Sequence, residues 1–210
     1  HALIRRLSSV ETLGSVTTIC TDKTGTLTQN QMTVTRLWVD GQFVDVTGTG
    51  YEPVGEFKVD GETVNLMDYP AARTALWVGT INNDAQLEPA GESEGKASYR
   101  MVGDPTEGSI LVKAGAAANV VNQNYPRKQE IPFDSTRKRM VTIHNILNPG
   151  HGDISPYVTD ERTNWYTIAV KGAPDVVLGL CKYKSDMHNN PVELTEDMRQ
   201  EILAANDDMT

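Results

Sequence analysis

The sequence predicts an α+β protein: a mainly antiparallel β-sheet flanked by helices, preceded by one strand of parallel α/β type. Three observations carry this. Beyond residue 31, strand candidates outnumber helices and several are joined by tight hairpin turns, which only antiparallel neighbours use. Helical periodicity is confined to a few segments. Before residue 31, one β-branched run ends in an acidic, Thr-rich turn, as at the carboxyl ends of strands in parallel folds. The 210 residues suit one large domain or one and a half small ones, and 39% hydrophobic with 22% charged content implies a packed core.

Taken in order, "HALIRRLSSVETLG" reads as a short helix or extended lead-in that stops at Gly14. "SVTTIC" (15–20) is a strand candidate, and a turn follows over 22–28. "QMTVTRLWVDGQFVDVTG" reads as two strands about Asp40-Gly41, the commonest two-residue hairpin signal, and "VDGET" marks a second hairpin turn within a loop-like stretch. Gly48, Gly50 and Gly55 form no dinucleotide fingerprint, since no strand-to-helix transition surrounds them. Tyr69 to Val78 has helical spacing, with Ala, Leu and Trp on one face. "NNDAQLEPAGESEGKASYR" is polar and reads as surface loop. "DPTEGSILVKAGAAANV" opens a helix, with Pro105 in its first turn and Glu107 near the positive end of its dipole. "KQEIPFDSTRKRMVTIHNI" resembles two strands with a charged connection, and "WYTIAVKGAPDVVLGLC" a strand running into a helix. "LTEDMRQEILAANDDM" is a capped amphipathic helix with Thr195 as N-cap.

Charge and composition narrow the function classes. The 28 acidic and 19 basic side chains leave a net charge of −9, which argues against nucleic acid, because phosphate backbones need clustered cations. A nucleotide remains open to such a chain, since a few local cations and backbone N–H groups can hold a triphosphate. Cys20 and Cys181 stand far apart and read as free thiols, and the four histidines show no ligand spacing. No stretch approaches the roughly 18 apolar residues of a membrane span, and no signal-peptide pattern opens the chain, so the piece is expected to be soluble.

The turn "DKTGTLT" (22–28) has the makings of a phosphoryl site. Asp22 follows the strand run, Gly25 lets the backbone approach closely, and Thr24, Thr26 and Thr28 offer hydroxyl and N–H donors, with Lys23 adding positive charge. A carboxylate attacks a phosphoryl group competently once cations offset the repulsion between anions. The contiguous "DKTGTLTQNQM" resembles the phosphorylation motif of P-type ATPases, ion pumps that pass through an aspartyl phosphate.

That resemblance implies that Asp22 is phosphorylated, that Asp22 and the Thr24 carbonyl ligate Mg²⁺, and that Lys23 and Thr26 lie near the phosphate. Three later segments resemble the family in its order: "GDPTEGSIL" (103–111), "PFDSTRKRM" (132–140) and "KGAPD" (171–175). The resemblance implies that Glu107 faces the adenine amino group, Phe133 stacks on adenine, Lys138 borders the nucleotide, and Lys171 with Gly172 lines the bottom of the ATP pocket. These roles suit the residue types, as an aromatic face stacks on a base and a carboxylate accepts from an amine. Asp175 stands where Glu is common in the family.

By the same resemblance, residues 1–35 begin a phosphorylation domain and 36–210 form a nucleotide-binding domain truncated at its C-terminal end. The rest of the phosphorylation domain, the actuator and the membrane helices would be partners from the same chain, alongside ATP and a transported cation, with calcium first and Na⁺, K⁺ or H⁺ open. The piece would be a cytoplasmic domain of an integral membrane protein, binding ATP without turning it over alone. Two other classes stay open: a nucleotide-binding module without turnover, and a haloacid-dehalogenase-type phosphatase. The latter usually has a second Asp two residues after the nucleophile, where this sequence has Thr24.

Overall fold

The structure is a computed structural model that describes residues 14–28, 30–93, 96–115, 117–149, 154–157 and 164–210. The lead-in expected over 1–14 therefore lies almost wholly outside the described residues. The chain divides into two units, His1–Gln31 and Met32–Thr210.

In the first unit, 15–20 do not form the expected strand: they make no ladder among the described residues and lie exposed, Ile19 at 84%. β-branched composition favours a strand only where a neighbouring strand can take up its backbone groups. Lys23–Leu27 form a tight wound turn closed by Thr28 N–H donating to the Lys23 carbonyl (3.2 Å), with Gly25 at φ 74°.

The second unit holds eleven strands and five α-helices among the described residues. β1 (Arg36–Val39), β2 (Gln42–Val46), β3 (Phe57–Val59) and β4 (Glu62–Val64) form an antiparallel meander in sequence order. Both of its tight turns were legible: Asp40-Gly41 (φ 46°, 81°) and Asp60-Gly61 (φ 52°, 86°) take the left-handed pair that matches strand twist. α1 (Pro70–Ile81) follows, with Pro at its first turn.

The stretch read as surface loop after α1 is instead a hairpin, β5 (Gln86–Ser93) and β6 (Lys96–Val102). Pro89 and the glycine at 91 disguised it: they fall at a β-bulge, where a ladder tolerates both. Glu88 pairs with Arg100 across the strands at 2.7 Å.

α2 (Pro105–Ala114) and α3 (Ala117–Asn124) lead into a three-stranded antiparallel sheet of β7 (Arg127–Asp134), β8 (Arg139–Asn145) and β9 (Tyr166–Gly172). α4 (Pro174–Leu178), the hairpin β10 (Tyr183–Ser185) and β11 (Pro191–Glu193), and α5 (Glu196–Asp208) complete the unit. Thr195 caps α5 as expected, accepting from Met198 N–H at 3.3 Å.

α1 organises the core. One face places Ala72 against Val44 and Val59 of the meander. Its Leu76, Trp77 and Ile81 pack with Val121, Tyr125, Ile146 and Ala169 beneath the three-stranded sheet. Trp77 meets Tyr125 and Tyr157 edge-on, at 5.2 and 5.6 Å between ring centroids. Burying these side chains, at about 1.5–3 kcal/mol each, fixes α1 against both sheets and so fixes the turn that leaves it.

Candidate functional site

The end of α1 emerges beside the start of α2. Asp104 caps α2 by accepting from Thr106 N–H (2.8 Å) and Glu107 N–H (3.4 Å), and those bonds hold its carboxyl below the usual carboxylate range. The cap sets Glu107 in the first turn with its side chain largely buried. One carboxylate oxygen forms an ion pair with Lys171 of β9, and the other accepts from Asp84 N–H at 2.8 Å.

Lys171 lies at the end of the three-stranded sheet where the β7–β8 connection turns. In register, Met140 faces Lys171, and Asp134, Arg139 and Gly172 form the last row. The charged connection is a tight loop. Asp134 Oδ1 accepts from Thr136 and Arg137 N–H (3.1 and 2.9 Å), and Lys138, at φ 49°, donates its N–H to the Asp134 carbonyl (2.7 Å). Ala173 N–H then donates to the Lys138 carbonyl at 2.9 Å, tying the loop to the start of α4. Gly172 permits this approach, since a Cβ there would lie 2.8 Å from Arg139 Cα and closer still to the Lys138 carbonyl oxygen. Phe133, on β7 just before the loop, is 61% exposed, an open aromatic surface at the same sheet end.

Glu107, Phe133, Lys138, Lys171 and Gly172 thus come from three separated segments to one sheet end. The resulting surface has an exposed aromatic ring, a Lys138 cation that makes no ion pair among the described residues, and a carboxylate locked against an ammonium. Such a combination can stack a base, accept from an amine and attract anionic oxygens. Asp22, Lys23, Thr24 and Thr26 belong to the other unit and are exposed. Asp22 makes no side-chain capping bond to the turn it precedes, so its carboxylate is not an ordinary N-cap.

Sequence reasoning missed the residues behind Glu107. Asn82 is fully buried and donates to the carbonyls of Met140 (3.2 Å) and Ala169 (2.9 Å), stitching α1 to two strands of the sheet. Asn83 donates to the carbonyls of Gly79 and Glu107 (3.1 and 2.8 Å) and accepts from Ala85 N–H (2.9 Å). Arg127, at the start of β7, donates to the Asn83 carbonyl (2.7 Å), to Asp84 and to Glu130 (2.6 Å). The available signal was the "NND" run directly after a helix, where amide side chains end helices by bonding backbone.

Among the described residues no cluster of three or more His, Cys, Asp or Glu side chains could hold a metal ion, and no helix is long and apolar enough to cross a membrane.

Comparison with known proteins agrees with this α+β fold. Residues 72–210 match the family described as P-type ATPase, cytoplasmic domain N. The chain belongs to the P-type ATPase family. It is 40% identical over 191 residues to a cation-transporting ATPase, pma1, of Synechocystis, covering 87% of this chain and 19% of that relative. It is 37% identical over 180 residues to a calcium-transporting ATPase of Bacillus subtilis (84% and 18%), and 40% over 142 residues to calcium-transporting ATPase type 2C member 1 of Bos taurus (67% and 14%). The chain thus spans less than a fifth of the length of these relatives.

Proposed function

We propose that this chain is the ATP-binding and phosphoryl-accepting part of a P-type pump, in which hydrolysis of ATP drives cation transport. The observation that carries the reading is the convergence of Glu107, Phe133, Lys138, Lys171 and Gly172 on one sheet end from three segments. In this reading adenine stacks on Phe133, its 6-amino group donates to Glu107, Lys171 floors the pocket beside Gly172, and Lys138 meets the phosphates.

Residues 1–35 are then the start of the phosphorylation domain and 36–210 the nucleotide-binding domain. A carboxylate oxygen of Asp22 attacks the γ-phosphorus of ATP. An Asp22 O–P bond forms as the bridging P–O bond to the β-phosphate breaks, and ADP leaves with that electron pair. Lys23 and Thr26 steady the transferred group by charge and hydrogen bonding. The donor set at the turn fits Mg²⁺, a hard cation that takes one or two protein oxygens and keeps waters, here the Asp22 carboxylate and the Thr24 carbonyl. Mg²⁺, when bound, offsets negative charge on the phosphate oxygens. Thr24, standing where hydrolases of the related superfamily carry a second acid, offers no carboxylate to take the proton of an attacking water, which favours a persistent phosphoenzyme.

Calcium is the favoured cation, because two of the relatives above are named calcium-transporting ATPases. The rest of the phosphorylation domain, the actuator and the membrane helices would be its intramolecular partners, with this part on the cytoplasmic side.

Titration of the 210-residue chain with ATP, followed by NMR, tests the binding half. The expected result is weak, saturable shifts at Phe133, Lys138 and Lys171, weakened about tenfold or more by Lys171→Ala. Unmoved signals at all three would refute it. The transfer half is tested in the full-length parent supplied with ATP, Mg²⁺ and Ca²⁺: acid-stable, hydroxylamine-labile label at Asp22, absent in Asp22→Asn.

A further inference from the structure

We propose that Arg127 is a positioning residue for base recognition, holding the Asn83–Asp84 peptide plane so that its N–H fixes the Glu107 carboxylate. This rests on the nucleotide reading above. The two ends of one planar peptide unit are engaged from opposite sides. Its carbonyl, that of Asn83, accepts from Arg127 Nη2 at 2.7 Å, and its N–H, that of Asp84, donates to Glu107 Oε2 at 2.8 Å. A planar unit pinned at one end cannot swing the other away without breaking the first bond. The cationic partner on the carbonyl also polarises the unit and strengthens its N–H as a donor.

Further bonds brace this turn. Arg127 Nη1 bonds both Asp84 and Glu130, the latter at 2.6 Å, and Asn83 Nδ2 holds the Glu107 carbonyl at 2.8 Å. The Arg127 side chain is 28% exposed, more sheltered than the Asp84 and Glu130 side chains it pairs with, at 53% and 40%. With Oε1 paired to Lys171 and Oε2 to Asp84 N–H, the carboxylate cannot rotate, and its remaining lone pairs present a fixed acceptor surface. A fixed acceptor welcomes a 6-amino purine and opposes a 6-oxo purine, whose oxygen faces it with no proton to give. Arg127 therefore acts on selectivity through Glu107 without touching the base.

The test compares ATP and inosine triphosphate binding to the 210-residue chain by calorimetry. The unaltered chain should prefer ATP by about tenfold or more, and Glu107→Gln should erase most of that preference. Arg127→Met should lower the ATP-to-ITP affinity ratio about tenfold, and Arg127→Lys should restore part of it. Should Arg127→Met fold poorly, hydrogen exchange at the Asp84 amide in Arg127→Lys gives the second readout, with protection expected to fall several-fold. An equal loss of ATP and ITP affinity in Arg127→Met, an unchanged ratio, or undiminished Asp84 protection in Arg127→Lys would overturn the positioning role. In those cases a ratio lost in Glu107→Gln leaves the nucleotide reading standing. No ATP binding by the unaltered chain, or no effect of Glu107→Gln on the ratio, overturns both.

Discussion

Gly172→Ala is the sharpest probe of how the site is built. At that position β9 passes the β7–β8 loop with only hydrogen between the backbones: an added Cβ would stand 2.8 Å from both Arg139 Cα and Arg139 Cβ, and nearer still to the Lys138 carbonyl oxygen. Most of the crowding is against backbone, so no rotamer change relieves it. β9 must move away, and that strains the Ala173 N–H bond to the Lys138 carbonyl (2.9 Å). Overpacking of this kind costs about 1–3 kcal/mol, and rigid neighbours place this case near the upper end. For a unit of this size, about 3 kcal/mol lowers Tm by about 6–12 °C. Thermal unfolding followed by circular dichroism measures it, alongside ATP titration, which should weaken because Lys138 and Lys171 lose their mutual placement. Gly179→Ala serves as the control. Its φ is −61° and an added Cβ meets only ordinary contacts at 3.5 Å, so it should leave stability unchanged or raise it by up to about 1 kcal/mol. If Gly172→Ala unfolds within 2 °C of the unaltered chain, the close approach is not what demands glycine there.

Three further outcomes follow from the structure. Asp104→Ala removes the α2 N-cap and should cost about 1 kcal/mol in urea unfolding while weakening ATP binding, because Glu107 sits in the turn that the cap orders. Burial holds the His144 imidazole below its ordinary pKa, and its Nδ1–H donates to the Tyr125 carbonyl at 2.8 Å. The unfolded chain then binds the proton more readily, so stability present above about pH 6.5 should fall on acidification, and His144→Gln should flatten the dependence between pH 7.5 and 5. The half-buried pair of Lys184 and Asp40 (2.5 Å) joins the first hairpin turn to β10, and Asp40 also accepts from Met187 N–H at 2.9 Å. Asp40→Asn keeps the left-handed turn but drops the charge and should cost about 2 kcal/mol. A double-mutant cycle with Lys184→Met should show coupling above about 0.5 kcal/mol.

What the sequence made legible was local chemistry. Asp40-Gly41 and Asp60-Gly61 announce their turns because few residues accept two positive φ angles in succession. The helix from Pro70 and the Thr195 cap are equally local statements. Phe133, Lys138 and Lys171 were picked out by motif, and the antiparallel register explains why segments more than thirty residues apart meet at one sheet end. The failures were non-local. The 15–20 run has strand composition and no ladder, while β5 and β6 have polar, Pro- and Gly-bearing sequences and pair all the same, since pairing depends on partners that composition does not reveal. Asn82, Asn83 and Arg127 were passed over because the bonds by which they shape the site go to backbone groups far along the chain.

The double duty of α1 bears on which length changes this fold can absorb. Its Ala72 is seated on one sheet and its Leu76, Trp77 and Ile81 on another, and the turn at Asn82–Asp84 leaves its end at a fixed angle. Inserting or deleting one residue between those anchors would rotate everything beyond it by about 100° and advance it by about 1.5 Å, enough to turn Asn83 away from its partners. Insertions should therefore accumulate in the outlying β5–β6 ribbon, while the spacing from Ala72 to Asp84 stays invariant among chains that keep this site.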